Sequence, residues 1–247
     1  MARSAQDTAS ITQRPWLAAA TLVAAAAAIL GALLTRSVGD SWQWLHWVGK
    51  PLTTALIFVL AWRTVLPVSL RYRRFILAGI GFSLLGDVFL MLPQDLFIAG
   101  LLSFLLAHGC FIAAFASDLP FTTGPWQGLL CLAYGALALW ILWPSLTTPL
   151  RGPVIVYMAV LLTMLVQALA RAMRLRERGD PLALPARLAL VGAVLFVISD
   201  SALAWDRFRA PLPWASLWVL VTYWAALWMI ARSVARQDRL KSAGSVA

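Results

Sequence analysis

The sequence predicts an all-α membrane protein, a bundle of eight transmembrane helices. Of the 247 residues, 62% are hydrophobic and only 12% are charged, which exceeds what a soluble domain of this size needs. The apolar residues form eight runs, each long enough to cross a hydrocarbon core of about 30 Å as a helix. Arginines gather between these runs rather than within them, as is typical of the signals that set membrane topology.

The predicted spans follow one another with short polar connections, and a longer basic loop over residues 171–187 separates the sixth from the seventh. In chain order the spans are Trp16–Leu34, Leu45–Trp62, Phe75–Leu92, Leu96–Ala116, Pro125–Trp143, Pro153–Ala170, Leu188–Trp205 and Trp214–Ala231. We therefore expect one membrane domain over residues 15–232. A disordered cytoplasmic N-terminus (residues 1–14) should precede it, and a basic cytoplasmic tail (233–247) should follow.

The formal charge of +10 is distributed unevenly between the two sides of the predicted bundle. Fifteen basic residues lie on the side of the two termini and four on the other side. The positive-inside rule then predicts an inner-membrane protein with both termini in the cytoplasm. Arginines at these positions set topology and meet anionic lipid headgroups, so we expect membrane lipid and not nucleic acid as the partner. Tryptophans cluster at the opposite ends of the spans, as an interfacial belt would: residues 42, 44, 47, 143, 205 and 214.

Two acids interrupt the apolar spans. Asp87 lies in the third span and Asp200 in the seventh. An acid inside a membrane is costly and by default marks a functional site. A glycine stands eight residues before each acid, at Gly79 and Gly192. This similarity fits either chance similarity between apolar helices or two parallel four-helix repeats related by an axis along the membrane normal. A repeat would set the two carboxylates at one depth.

Helix geometry predicts a polar pocket around these acids. At 1.5 Å of rise per residue, both acids lie about 8 Å inside the non-cytoplasmic ends of their helices. Lys50 and Tyr157 reach a similar depth, Tyr223 lies a little deeper, and His108 lies nearer the middle of the bundle. Five polar groups from five helices at comparable depth indicate one site.

Each of these residues also has a purely structural interpretation. Asp87 could pair with Lys50 or Arg36 and Asp200 with Arg207, in each case only locking helices together. Lys50 could extend its ammonium to the interface. His108, Tyr157 and Tyr223 could be ordinary hydrogen-bonding residues between helices.

The residue inventory restricts the chemistry. Only two histidines are present, so a three-histidine zinc site is excluded, and we expect no metal. The sequence contains neither a Walker loop nor a GxSxG elbow, and we expect no cofactor. Two buried carboxylates and a lysine can supply one proton donor and one base, which suits the addition of water to an acid-labile ether.

Several segments together resemble the YhhN family of eight-span membrane proteins. They are Lys50-Pro51-Leu52, FSLLGDVFLM (82–91), LLSFLLAHGCFIAAF (101–115), FVISDS (196–201) and Thr222-Tyr223. The resemblance implies a lysoplasmalogenase, which hydrolyses the vinyl-ether bond of a lysophospholipid to a fatty aldehyde and a glycerophospho-base. It also implies that Asp87 and Asp200 are the catalytic acids, and that Lys50, His108 and Tyr223 line the site. We place the substrate phosphate near Lys50.

Two other functions fit part of the pattern. A small-molecule or lipid transporter with a proton-coupled carboxylate pair would also have repeated halves and intramembrane charges. In a scaffold protein, the carboxylates would only lock helices together, and removing their charge would cause misfolding and nothing more specific. Vesicle flux without product formation would favour the transporter.

Overall fold

The computed structural model describes residues 15–119 and 125–236, which form eight α-helices. The helices are α1 (Pro15–Ser37), α2 (Gln43–Trp62), α3 (Leu70–Met91), α4 (Phe97–Phe115), α5 (Pro125–Leu142), α6 (Thr148–Glu177), α7 (Ala183–Phe208) and α8 (Ala215–Arg232). Eight helical segments are long and apolar enough to cross a membrane, one for each of these helices. The predicted fold class is confirmed. The predicted N-terminal segment 1–14 and residues 237–247 of the predicted tail 233–247 lie outside the described residues.

The helices pack mainly as sequential hairpins, α1 on α2, α3 on α4 and α7 on α8. Helix α6 joins these hairpins through contacts with α4 and α7, and α2 contacts both α3 and α8. The core between them is apolar and fully buried, with Ile57, Ile76, Phe111, Phe196 and Ile230 at 0% exposure. Helix α5 packs lightly, mainly against α6, and most of its side chains remain exposed. Those exposed side chains are apolar, as a lipid-facing surface requires.

The two glycines that precede the acids are points of close helix contact. A methyl group on Gly79 would overlap the Phe111 ring of α4. One on Gly192 would lie 2.6 Å from Cγ1 of Ile230 and 2.8 Å from the backbone oxygen of Ala226, both on α8. Small residues let membrane helices approach closely where lipid supplies no hydrophobic drive for association. Each glycine therefore fixes an acid-bearing helix against the helix that follows it.

Several helices run beyond the apolar stretches that predicted them. Helix α3 begins at Leu70, because the Ser69 side chain accepts a hydrogen bond from the Tyr72 amide and caps the helix. A prediction from apolar runs finds only the part of a helix that lies within hydrocarbon. It misses helical turns that continue into the headgroup region.

The predicted basic loop between the sixth and seventh spans is wrong at its start. Helix α6 continues to Glu177, so Arg171 lies in a helix and its side chain is completely buried. Its guanidinium donates to both carboxylate oxygens of Asp118, with Nη2 at 2.6 Å from Oδ2. It also lies over the Tyr72 ring, 4.9 Å from the centroid. A carboxylate partner at hydrogen-bond distance lets an arginine remain buried inside the bundle.

Candidate active site

A cavity of about 280 Å³ opens between the helices, and seven of the eight helices contribute to its wall. Both intramembrane acids, Asp87 and Asp200, lie on this wall. Lys50, Tyr157 and Tyr223 lie there too, so the structure brings together the five groups that helix geometry placed at similar depth. The rest of the wall is largely apolar and includes Leu137, Ile141 and Leu161.

Asp87 is buried and held by side chains from two other helices. Its Oδ2 accepts hydrogen bonds from the Thr54 hydroxyl of α2 at 2.6 Å and the Tyr223 hydroxyl of α8 at 2.8 Å. Its Oδ1 lies 3.5 Å from the Lys50 ammonium. The carboxylate is 1% exposed, and its charge is balanced by an ion pair and two hydroxyl donors, as a buried acid requires.

Asp200 is held by a different pair of residues and is less enclosed. Its Oδ2 accepts a hydrogen bond of 2.6 Å from the Tyr157 hydroxyl and lies 3.5 Å from Nε2 of His108. The side chain of Asp200 is 16% exposed. Within the described residues, no hydrogen bond involves its Oδ1, so that oxygen is available to a ligand in the cavity.

The contacts of His108 assign its tautomer. Tyr157 has one hydroxyl proton and donates it to Asp200, so the 3.0 Å contact between Tyr157 and Nε2 of His108 needs the proton on Nε2. In the neutral imidazole Nδ1 then carries the lone pair, and this buried atom has no hydrogen-bond partner among the residues described. His108 is completely buried and is not on the cavity wall. It contacts two residues of the wall, Tyr157 and Asp200.

Phe196 separates the two acid clusters. Its ring packs edge-on against His108, with centroids 5.1 Å apart, and against Tyr223, with centroids 5.7 Å apart. Phe196 is itself 0% exposed. This aromatic row fixes the histidine and the tyrosine on either side of it.

The structure decides between several of the alternative pairings. Arg207 pairs with Asp95 at 2.7 Å and not with Asp200, while Asp87 pairs with Lys50. Lys50 is 8% exposed, so its ammonium turns inward and does not extend to the interface. The contact with Asp87 also means that the lysine charge is already engaged.

Sequence reasoning missed two members of the site, Thr54 and Trp224. Thr54 donates to Asp87 and accepts a hydrogen bond of 3.3 Å from Nε1 of Trp224. A signal for Thr54 was present, because it lies four residues after Lys50 and so shares its helix face. Trp224 follows Tyr223 directly, but nothing in its local sequence marks it as a hydrogen-bond donor to the site.

The polar contacts of the two acids follow one pattern in both halves of the bundle, α1–α4 and α5–α8. Asp87 contacts Thr54 on the second helix of its own half and Tyr223 on the fourth helix of the other half. Asp200 contacts Tyr157 on the second helix of its half and His108 on the fourth helix of the other. Two residues thus cross between halves. The repeat itself stays a prediction.

A sequence model of the YhhN family matches residues 45–234 of this chain. The chain belongs to the YhhN family. Its relatives include the "Uncharacterized membrane protein YhhN" of Escherichia coli O157:H7, 32% identical over 196 residues, or 79% of this chain and 89% of that protein. Human "Lysoplasmalogenase TMEM86B" is 31% identical over 204 residues, covering 80% of this chain and 78% of the human one.

A further relative is the pig protein "Lysoplasmalogenase TMEM86B", 35% identical over 165 residues, or 64% of this chain and 62% of that protein. No solved structure matches the chain. Membership in the YhhN family identifies a multi-pass membrane protein, and relatives named lysoplasmalogenase support hydrolase activity at the level of the family.

Proposed function

We propose that this protein is a membrane-embedded hydrolase that cleaves the vinyl-ether bond of lysoplasmalogen-type lysophospholipids. The products are a fatty aldehyde and a glycerophospho-base. The observation that carries the proposal is that Asp87 and Asp200 face one largely apolar cavity, each held by a tyrosine hydroxyl. Relatives named lysoplasmalogenase support this choice of reaction.

The two acids have different surroundings, which suggests different roles. Asp87 has a cationic partner in Lys50 and two hydroxyl donors, an arrangement suited to a carboxylate that keeps its charge. Asp200 has a neutral tyrosine donor and an Oδ1 that takes part in no hydrogen bond within the described chain. In our proposal Asp200 carries the proton on this oxygen, and Asp87 is the base.

The reaction then needs only these two groups and water. Asp200 donates its proton to the vinyl carbon remote from the ether oxygen, which leaves an oxocarbenium cation next to that oxygen. The Asp87 carboxylate stabilises this cation and accepts a proton from the attacking water, giving a hemiacetal. Return of a proton to the ether oxygen and loss of the hemiacetal hydroxyl proton break the C–O bond and release aldehyde and alcohol. General acid–base catalysis of this kind contributes about 10²–10⁴-fold.

Purified protein assayed with lysoplasmenylethanolamine tests the proposal through aldehyde release. Asp200→Asn should lower kcat/KM at least about 100-fold while the melting temperature is retained. Asp87→Asn should lower kcat/KM as much and should also lower the melting temperature, because it leaves the buried Lys50 ammonium without its partner. Asp40→Asn, at an exposed acid outside the cavity, should keep wild-type activity. Full turnover by either cavity variant would refute the mechanism. Proton-coupled lipid flux in vesicles without aldehyde would favour the transporter instead.

We also propose an inner-membrane location with both termini in the cytoplasm. Burial of Arg171 removes one residue from the topological count, which leaves fourteen basic residues on the terminal side against four on the other. That asymmetry still favours the same orientation. A C-terminal alkaline phosphatase fusion should be inactive and a C-terminal fluorescent-protein fusion bright; the reverse result would overturn the orientation.

A further inference from the structure

The cavity has a second cation at its interfacial end. Only Lys50 and Arg207 are positively charged among the residues that line it, within the part of the chain the structure describes. Lys50 is buried against Asp87 at 3.5 Å. The Arg207 side chain is 45% exposed and lies in the last turn of α7. The cavity therefore has one positive charge that is buried and paired, on Lys50, and one that is accessible near its opening, on Arg207.

Arg207 is aligned with Asp200 along α7. The two are seven residues apart, so they share a helix face and are separated by about 10 Å along the axis. Helical side chains lean toward the N-terminus of the helix, which directs Arg207 toward Asp200. Neighbouring Trp205 is exposed and lines the cavity, consistent with the headgroup depth that tryptophans prefer.

Other contacts fix the Arg207 guanidinium and leave part of it available. Its Nη2 donates to both oxygens of Asp95, at 2.7 and 2.8 Å. Its Cζ lies 5.1 Å from the centroid of the Phe97 ring, which in turn packs edge-on against Phe208. Nε and Nη1 donate no hydrogen bond to any residue in 15–119 or 125–236. The group is thus positioned on an aromatic platform with unused donors.

We propose that Arg207 binds the phosphodiester of the lysophospholipid headgroup and so gives the cavity its preference for phospholipids over uncharged glycerol ethers. The inference rests on the proposed function, because that substrate has a glycerol unit between its vinyl ether and its phosphate. With the ether at Asp200, the phosphate lies toward the interface and Arg207. A planar guanidinium suits bidentate recognition of phosphate oxygens. The earlier placement of the phosphate near Lys50 is replaced, since that ammonium is paired with Asp87.

Asp95 would compete with a phosphate for the Arg207 guanidinium. The Asp95 carboxylate accepts hydrogen bonds from the guanidinium, yet the Asp95 side chain is 70% exposed. The backbone φ of Asp95 is 50°, a left-handed conformation that is uncommon for a residue other than glycine. A phosphate can share the arginine or displace this carboxylate. Removing the charge of Asp95 should therefore strengthen phospholipid binding, while removing that of Arg207 should weaken it. A purely structural ion pair would give the same effect for both.

Binding of saturated ether lipids tests the inference without turnover. The probes are 1-O-alkyl-lysophosphatidylethanolamine and the matching 1-O-alkylglycerol, measured by titration calorimetry on the full-length protein. Arg207→Gln should weaken binding of the phospholipid about tenfold and leave the glycerol ether unchanged. Asp95→Asn should bind the phospholipid as tightly as wild type or more tightly. Arg209→Gln is the matched control, an exposed arginine outside the cavity lining, and should have no effect.

Several results would overturn the inference. They are equal binding of the two probes by wild type, equal losses for both probes in Arg207→Gln, and a matching loss in Asp95→Asn. Binding of inorganic phosphate as tight as that of the lysophospholipid would overturn the assignment to a lipid headgroup. If Arg207→Gln unfolds at a lower temperature than wild type, Arg207→Lys takes its place. Lysine keeps the charge but not the paired donors of the planar guanidinium, so it should give an intermediate loss of affinity that is confined to the phospholipid. Absence of aldehyde release by wild type would refute only the proposed function, since binding does not depend on turnover.

Discussion

The Tyr157 hydroxyl lies between His108 and Asp200, 3.0 Å from Nε2 of the histidine and 2.6 Å from Oδ2 of the acid. The histidine therefore reaches the carboxylate mainly through the tyrosine, since its direct separation from Asp200 is 3.5 Å. This relay, from His108 through Tyr157 to Asp200, fixes Oδ2 of Asp200, the oxygen that carries no proton in our proposal. It leaves Oδ1 to act on a ligand in the cavity.

Tyr157→Phe should lower kcat/KM about 10- to 100-fold, the value of a hydrogen bond to the carboxylate that forms as Asp200 releases its proton, with little change in KM. The carboxylate would lose its donor, and His108 would lose its acceptor. Tyr134→Phe is the control, because Tyr134 lines the same cavity but bonds to Ser201 and to neither acid. Steady-state aldehyde release measures both, and equal activity in the two variants would argue against the relay.

Thr54→Val should lower activity and stability together. The substitution removes the hydroxyl that donates to Asp87 and leaves the buried Trp224 N–H without its acceptor, at a cost of about 1–3 kcal/mol in unfolding free energy. Thr54→Ser restores the hydroxyl and should recover most of both. Denaturant titration in detergent gives the stability. A valine variant as stable and active as wild type would mean that these two bonds contribute nothing.

Asp118→Asn should destabilise the protein by about 3–5 kcal/mol, because it leaves the Arg171 charge buried without its partner. Arg171→Met should cost less: Arg171 is 0% exposed, whereas the Asp118 side chain is 21% exposed and can be hydrated when alone. Thermal unfolding in detergent shows which of the two substitutions destabilises the protein more. Arg176→Met, at an exposed position on the same helix, should change little, and an inverted order would contradict this account of the ion pair.

Gly192→Ala should destabilise the α7–α8 hairpin by about 1–3 kcal/mol, the usual cost of overpacking. The added methyl group would meet the Ala226 backbone oxygen at 2.8 Å, and backbone cannot move aside as a side chain can. Gly81→Ala has no atom within 4 Å of the new methyl group, so it should be neutral or stabilising. Similar melting temperatures for the two variants would show that the close contact at Gly192 is not needed.

The linear sequence was sufficient for the number and order of the spans, since hydrophobic length is a local property. It also supplied the six polar candidates, because an ionisable residue in an apolar run stands out in isolation. The start of the loop after the sixth span was wrong at Arg171 for a related reason. A local rule places an arginine in an exposed loop, and the partner that lets it be buried in the bundle, Asp118, is 53 residues away.

Only the tertiary structure decided how these residues pair. Lys50 joins Asp87, Arg207 joins Asp95, and His108 reaches Asp200 through Tyr157. Each pairing joins residues from different elements, so it depends on helix rotation and neighbour choice, which close packing at positions such as Gly192 determines. The number of spans and the candidate site residues follow from composition along the chain. Which charged residue lies deep in the cavity and which lies at its opening follows from packing between helices.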